Sequence, residues 1–270
     1  MAMRWILGTL MLLIGLATAR DAVAEADLAV DLELVLAVDV SGLIDPAEAL
    51  LQRQGHIQAL TSPEVIRAAT SGPIGRIAVS YMEWAGAGHV RLVAGWHLID
   101  GLPAARTLAA RLASADIVSG QRTSISAAVM FALPLFRDNG YAGTRRVIDI
   151  SGDGPNNNGL PVLAGRDAAN VAGVTLNGLA ILNDRPGPLG FPVLRDLDVY
   201  YEACVITGPG AFVLAAQGFE DFGAAIRRKL VLEIAQISPS RPPIRRVIGY
   251  DCLIGERQLR DWLTRYPSSP

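Results

Sequence analysis

The sequence contains one lysine, Lys229, among 24 cationic residues, so its positive surface is almost entirely guanidinium. Aromatic residues make up only 6%, and 26 acidic side chains outnumber the basic ones for a net charge of -2. With neither a basic stripe nor a base-stacking surface, general nucleic-acid binding is excluded. Histidine and cysteine are scarce and dispersed (His56, His89, His97, Cys204, Cys252), which excludes zinc-ligand spacing. No Gly-x-Ser-x-Gly elbow, phosphate-cradling Walker loop or dinucleotide fingerprint occurs. A noncontiguous triad finds little support in three scattered histidines, and catalysis is not indicated. Charged residues are 19% against 51% hydrophobic, which excludes a disordered chain. The 270 residues suffice for one large domain or two small ones.

Long apolar runs are almost absent too. The one exception, residues 5–17, follows Arg4 and precedes small residues. It is shorter than the roughly 20 apolar residues of a membrane span, and reads as an export signal over residues 1–24. Cleavage falls after Ala24, with Ala19 and Ala26 as alternatives. An uncleaved anchor is the competing reading, and it would be the sole membrane contact. The expected location is periplasmic or secreted. In such a compartment Cys204 and Cys252 can close a loop of about 50 residues as a disulfide. Two buried free thiols are the alternative, and the sequence leaves both open.

From Asp31 onward, short apolar runs alternate with helical patterns. That predicts an α/β fold, a doubly wound, mainly parallel sheet flanked by helices. Residues 32–40 are almost wholly apolar, as expected of a central strand covered on both faces. Asp45, Pro46 and Glu48 form a capping box with proline at N1, starting a helix that runs to Leu60. Strands are expected at 76–84 and 90–99, joined as a hairpin, and at 146–150, 174–181 and 211–214. Helices are expected at 103–113, 124–138, 161–171, 191–201 and 219–237. Residues 31–237 make one domain, and 238–270 an appendage packed on it.

Ligands of open parallel sheets bind where strand C-termini open into loops. Asp39 and Ser41 leave the first strand, Thr123 sits in the loop before the helix at 124, and Asp153 follows the 146–150 strand. Two carboxylates and two hydroxyls are hard donors that suit Mg²⁺, with Mn²⁺ or Ca²⁺ as alternatives. The competing reading makes them caps of turns and helix N-termini. Glu83, Asp149, Arg145 and Arg146 read as structural charges. The run Asn156, Asn157, Asn158 either orients ligand waters or makes the turn.

Asp39-x-Ser41, the segment Gly120-x-x-Thr123-x-Ile125 and Asp153-Gly154 together resemble a von Willebrand factor A domain, over roughly residues 31–237. The stretches 151–157 and 204–206 are similar to a group of exported bacterial A-like domain proteins of unassigned function. The resemblance implies a metal-ion-dependent adhesion site, whose Asp-x-Ser-x-Ser motif, threonine and aspartate fall on Asp39, Ser41, Thr123 and Asp153. The motif's second serine falls on Leu43, which has no oxygen to donate, so weakened metal affinity or a metal-free relic is expected. The implied function is a non-enzymatic module that binds a protein or another carboxylate-bearing ligand through the ion. A metal-independent periplasmic scaffold is the alternative. An aspartyl-phosphate phosphatase is remote, because Ser41 stands where that chemistry needs a second acid.

Overall fold

The computed structural model describes residues 26–42, 44–187, 190–237 and 249–267. The expected signal, Leu43 and the start of the appendage lie outside them.

Six strands form the main sheet: β2 (Glu33–Asp39), β3 (Ile77–Trp84), β4 (Val90–Ile99), β6 (Arg146–Gly152), β7 (Thr175–Leu182) and β8 (Val213–Gln217). Their order is β4-β3-β2-β6-β7-β8. All pairs are parallel except the β3–β4 hairpin at one edge. Every residue of β2 and β3 is buried, which is why these strands read as mostly apolar, with Glu33, Asp39, Ser80 and Glu83 as exceptions, rather than as alternating ones. Two strands were not expected: β1 (Leu28–Val30) and β5 (Tyr141–Gly143) pair in parallel as a separate small sheet. Three-residue strands are too short to carry a readable alternation.

One face of the sheet is covered by α1 (Pro46–Leu60), α2 (Pro63–Thr70), α3 (Leu102–Ser114) and α7 (Phe222–Ile234), packed around Leu34, Leu36, Ile77 and Val79. The other is covered by α4 (Ile125–Ala132), α5 (Val162–Val171) and α6 (Leu197–Tyr200), packed around Val35, Ala37, Ile148 and Ile150. The predicted capping box is present: Asp45 Oδ1 accepts from Glu48 N at 2.9 Å, and Glu48 Oε2 accepts from Asp45 N at 3.0 Å. Helix α2 was unforeseen, although Ser62 at its N-cap and Pro63 carry the usual start signal.

Three expected helices are shorter than their sequence pattern suggests. The helix expected at 124–138 turns into a 3₁₀ turn at Leu133–Phe136, where Pro134 has no N–H to continue the ladder. The helix expected at 191–201 is reduced to α6, with Phe191 pairing instead with Gly187, and α6 loosens into a π-turn at Tyr201–Val205. Helix α7 ends at Ile234, before Gln236 takes φ +57°.

Beyond the proline-rich segment, α8 (Ile254–Arg265) stands where only a tail was expected. It buries Trp262, whose ring meets Phe191 at 5.5 Å between centroids. Cys204 and Cys252 form a disulfide with Cα atoms 5.5 Å apart, so the free-thiol reading is withdrawn.

The charges read as structural have partners. Glu83 lies between Arg53 and Arg91, with the Arg91 Nη2–Glu83 Oε2 contact at 2.7 Å. Lys229, wholly buried, meets Asp149 Oδ1 at 2.6 Å and Glu233 Oε1 at 2.5 Å. Arg145 donates to the carbonyls of Glu233 and Ile234 at the end of α7.

Candidate functional site

The sheet order reverses between β2 and β6: β3 and β4 extend it one way, β7 and β8 the other. The C-terminal ends of β2 and β6 therefore open at the topological switch point, the usual ligand crevice of a doubly wound sheet. Asp39 ends β2, and Asp153 follows Gly152 at the end of β6. Ser41 N donates to Asp39 Oδ1 at 2.8 Å, closing a small turn. Thr123 Oγ1 reaches Ser41 Oγ at 3.4 Å. Three of the four residues singled out in the sequence are joined by hydrogen bonds, and Asp153 follows Gly152, where a β-carbon would lie 2.9 Å from Asp39 Oδ2.

All four are buried, with exposures between 0% for Asp39 and 3% for Asp153. Asp39 Oδ2 and Asp153 Oδ1 have no hydrogen-bond partner among the described residues. Burial pushes the Asp39 carboxyl up to about 7, against the opposing pull of its bonds from Ser41. Burial and then the charge of Asp39 push Asp153 well above the carboxylate range. Two neighbouring carboxylates out of water, each with an unsatisfied oxygen, are costly unless something cationic neutralises them. Hard anionic oxygens beside two hydroxyls form a donor set that fits a divalent cation such as Mg²⁺. Among the described residues no group of three or more His, Cys, Asp or Glu gathers anywhere, so a cation here would rely on two carboxylates and neutral oxygens.

The asparagine run fastens the loops around this point. Asn157 Oδ1 accepts from Thr123 N at 2.9 Å, and Asn157 N donates to Thr123 O at 2.8 Å, which fixes the Thr123 backbone from both sides. Asn156 Oδ1 accepts from Ser126 N, and Asn158 Oδ1 from Ala87 N. Gly120 N completes the belt by donating to Val40 O. Helix α8 braces the same run, with Asn156 Nδ2 donating to Glu256 Oε1 at 2.7 Å.

One neighbour escaped the sequence reading. Tyr201, at the start of the π-turn, is fully buried, and its hydroxyl too has no hydrogen-bond partner among the described residues. A β-carbon at Gly152 would lie 2.9 Å from the Tyr201 hydroxyl and 2.9 Å from Asp39 Oδ2. No local pattern announces this approach, which depends on a π-turn and on glycines in separate strands.

Sheet order, helix layers and the switch-point crevice define a von Willebrand factor A-type fold. The chain belongs to the family described as "Protein of unknown function (DUF1194)", which matches residues 29–238. No curated protein matches the sequence. Among solved structures, the chain is similar to proximal thread matrix protein 1 (PTMP1) from the mussel byssus, at 15% identity and TM-score 0.55, over 78% of this chain and 48% of that one. PTMP1 with a zinc-occupied MIDAS motif gives 14% identity and TM-score 0.55, over 78% of this chain and 47% of that one. The pilus adhesin SpaC from Lactobacillus rhamnosus GG gives 12% identity and TM-score 0.56, over 79% of this chain and 32% of that one. The chain thus spans about half the length of PTMP1 and a third of SpaC. At such identities the likeness concerns the fold.

Proposed function

We propose that the chain is an exported, non-catalytic binding module that recognises a protein or another carboxylate-bearing ligand through a divalent cation. Asp39 and Asp153 supply the negative charge, and Ser41 and Thr123 the neutral oxygens. The observation that carries the reading is the pair of buried, unsatisfied carboxylate oxygens at the switch point. A bound ion with only two anionic ligands keeps Lewis acidity toward an incoming carboxylate. Gly42, beside Ser41, is exposed, so the set lies directly under the surface.

The protein's own residues preorganise the donors. Ser41 N fixes the Asp39 carboxylate, Asn157 fixes Thr123, and the Asp45–Glu48 capping box starts α1 four residues after Ser41. Arg185 pairs with Glu48 and moderates the negative charge that Glu48 adds near Asp153. The disulfide supports export to an oxidising compartment. The likeness to an adhesin and to a byssus protein agrees with a binding role.

The depth of the four residues favours a second reading, a metal-independent scaffold, in which the carboxylates stay protonated. Leu43 adds to it by removing one donor from the motif. Thermal unfolding in EDTA and in millimolar Mg²⁺, Mn²⁺ or Ca²⁺, beside Asp39→Ala, separates the two. At a hundredfold excess over the dissociation constant, a specific ion adds about 2.7 kcal/mol and raises the midpoint by several degrees. The adhesion-site reading expects that rise in the wild type alone; no rise in either protein leaves the scaffold.

A further inference from the structure

We infer that Tyr201 contributes its phenolic oxygen to the cation site as a fifth side-chain donor, standing in for the hydroxyl that the motif lacks at position 43. This rests on the cation reading above.

Three independent features converge on it. The Tyr201 hydroxyl is buried and has no hydrogen-bond partner among the described residues, whereas the adjacent Tyr200 hydroxyl accepts from Asn156 N at 3.1 Å. The two tyrosines therefore have different roles despite their adjacency. The Tyr201 and Asp39 Oδ2 oxygens each lie 2.9 Å from the point that a β-carbon of residue 152 would occupy. They are thus no more than twice that distance apart, yet neither hydrogen-bonds to the other. A separation no greater than that lets both oxygens reach one ion.

The backbone is also arranged to let the ring in. A β-carbon at Gly178 of β7 would stand 2.6 Å from Tyr201 Cδ1, and one at Gly152 would meet the hydroxyl. Glycine at both positions clears the path from the π-turn to the end of β2. π-Turns inside helices recur at functional sites because they re-aim side chains. Here the turn also holds Cys204, so the disulfide to Cys252 anchors the segment that presents Tyr201. A phenol is a neutral donor. It adds an oxygen without reducing the ion's net charge, as the missing serine would.

The test compares the purified wild type with Tyr201→Phe and Asp39→Ala by calorimetric titration of Mg²⁺ and Mn²⁺, tyrosine ultraviolet difference spectra and thermal midpoints in EDTA. Without metal, Tyr201→Phe keeps or raises the midpoint, because the hydroxyl it removes has no partner. With metal it binds roughly tenfold more weakly, as loss of a supporting oxygen does, and the tyrosine difference band seen in the wild type disappears. Asp39→Ala does not bind. Unchanged affinity and an unchanged band in Tyr201→Phe overturn the inference while leaving the cation reading intact. A lowered midpoint in EDTA together with weaker binding assigns Tyr201 to packing and overturns it too. Failure of the wild type to bind either ion overturns both.

Discussion

Asp39→Asn should make the metal-free protein more stable at neutral pH, although it alters a fully buried residue at the centre of the site. Burial pushes the Asp39 carboxyl from 3.8 to about 7. Between those values the folded state holds a proton that the unfolded chain has released, so stability falls as pH rises through the window and levels off above it. At about 1.4 kcal/mol per pH unit, the loss accumulates to about 4 kcal/mol by pH 7. The amide keeps an oxygen for the 2.8 Å bond from Ser41 N, carries no charge, and relieves Asp153 of a neighbouring anion. Urea unfolding in EDTA, followed by tryptophan fluorescence at pH 4 and pH 8, reads the difference. The two proteins should match at pH 4, while at pH 8 the variant's midpoint should lie higher by more than about 1 M urea, for a slope of 1–3 kcal/mol/M. A variant no more stable than the wild type at pH 8 would refute the claim that the carboxylate pair is a site of unrelieved charge.

Two further expectations concern the scaffold. Replacing Cys204 and Cys252 together by alanine should cost about 4 kcal/mol on the chain-entropy model, given their sequence separation of 48; the check is the denaturation midpoint of the variant against the oxidised wild type. Lys229→Met should cost about 3–5 kcal/mol, because it leaves Asp149 and Glu233 buried without their cation. Equal urea midpoints for variant and wild type would contradict that pairing.

Much of the site was legible because its two carboxylates end or follow buried strands, while Thr123 stands in a distinctive segment before a helix. Asp39 closes a strand with no polar interruption after Glu33, and Asp153 follows another. The capping box at Asp45 could be read because its parts lie three residues apart. What escaped depends on contacts remote in sequence. Lys229 on α7 meets Asp149 on β6, although β7 and β8 lie between them along the chain. Tyr201 enters through glycines in β6 and β7, from a π-turn that a helical pattern does not reveal. Helix α8 is polar overall but carries a short apolar stripe, Ile254, Leu259, Trp262 and Leu263, which was passed over as part of a tail; the disulfide and the bond between Asn156 and Glu256 fasten it further.

The most direct test of the cation claim is the electron paramagnetic resonance signal of free Mn²⁺ titrated with the wild type, Asp39→Ala and Asp153→Ala. One equivalent of wild-type protein should remove one equivalent of the free-ion signal, excess Mg²⁺ should restore it, and both variants should leave it intact. A wild-type protein that leaves the signal unchanged, or variants that quench it as fully as the wild type, would contradict the assignment of Asp39 and Asp153 as the charged ligands.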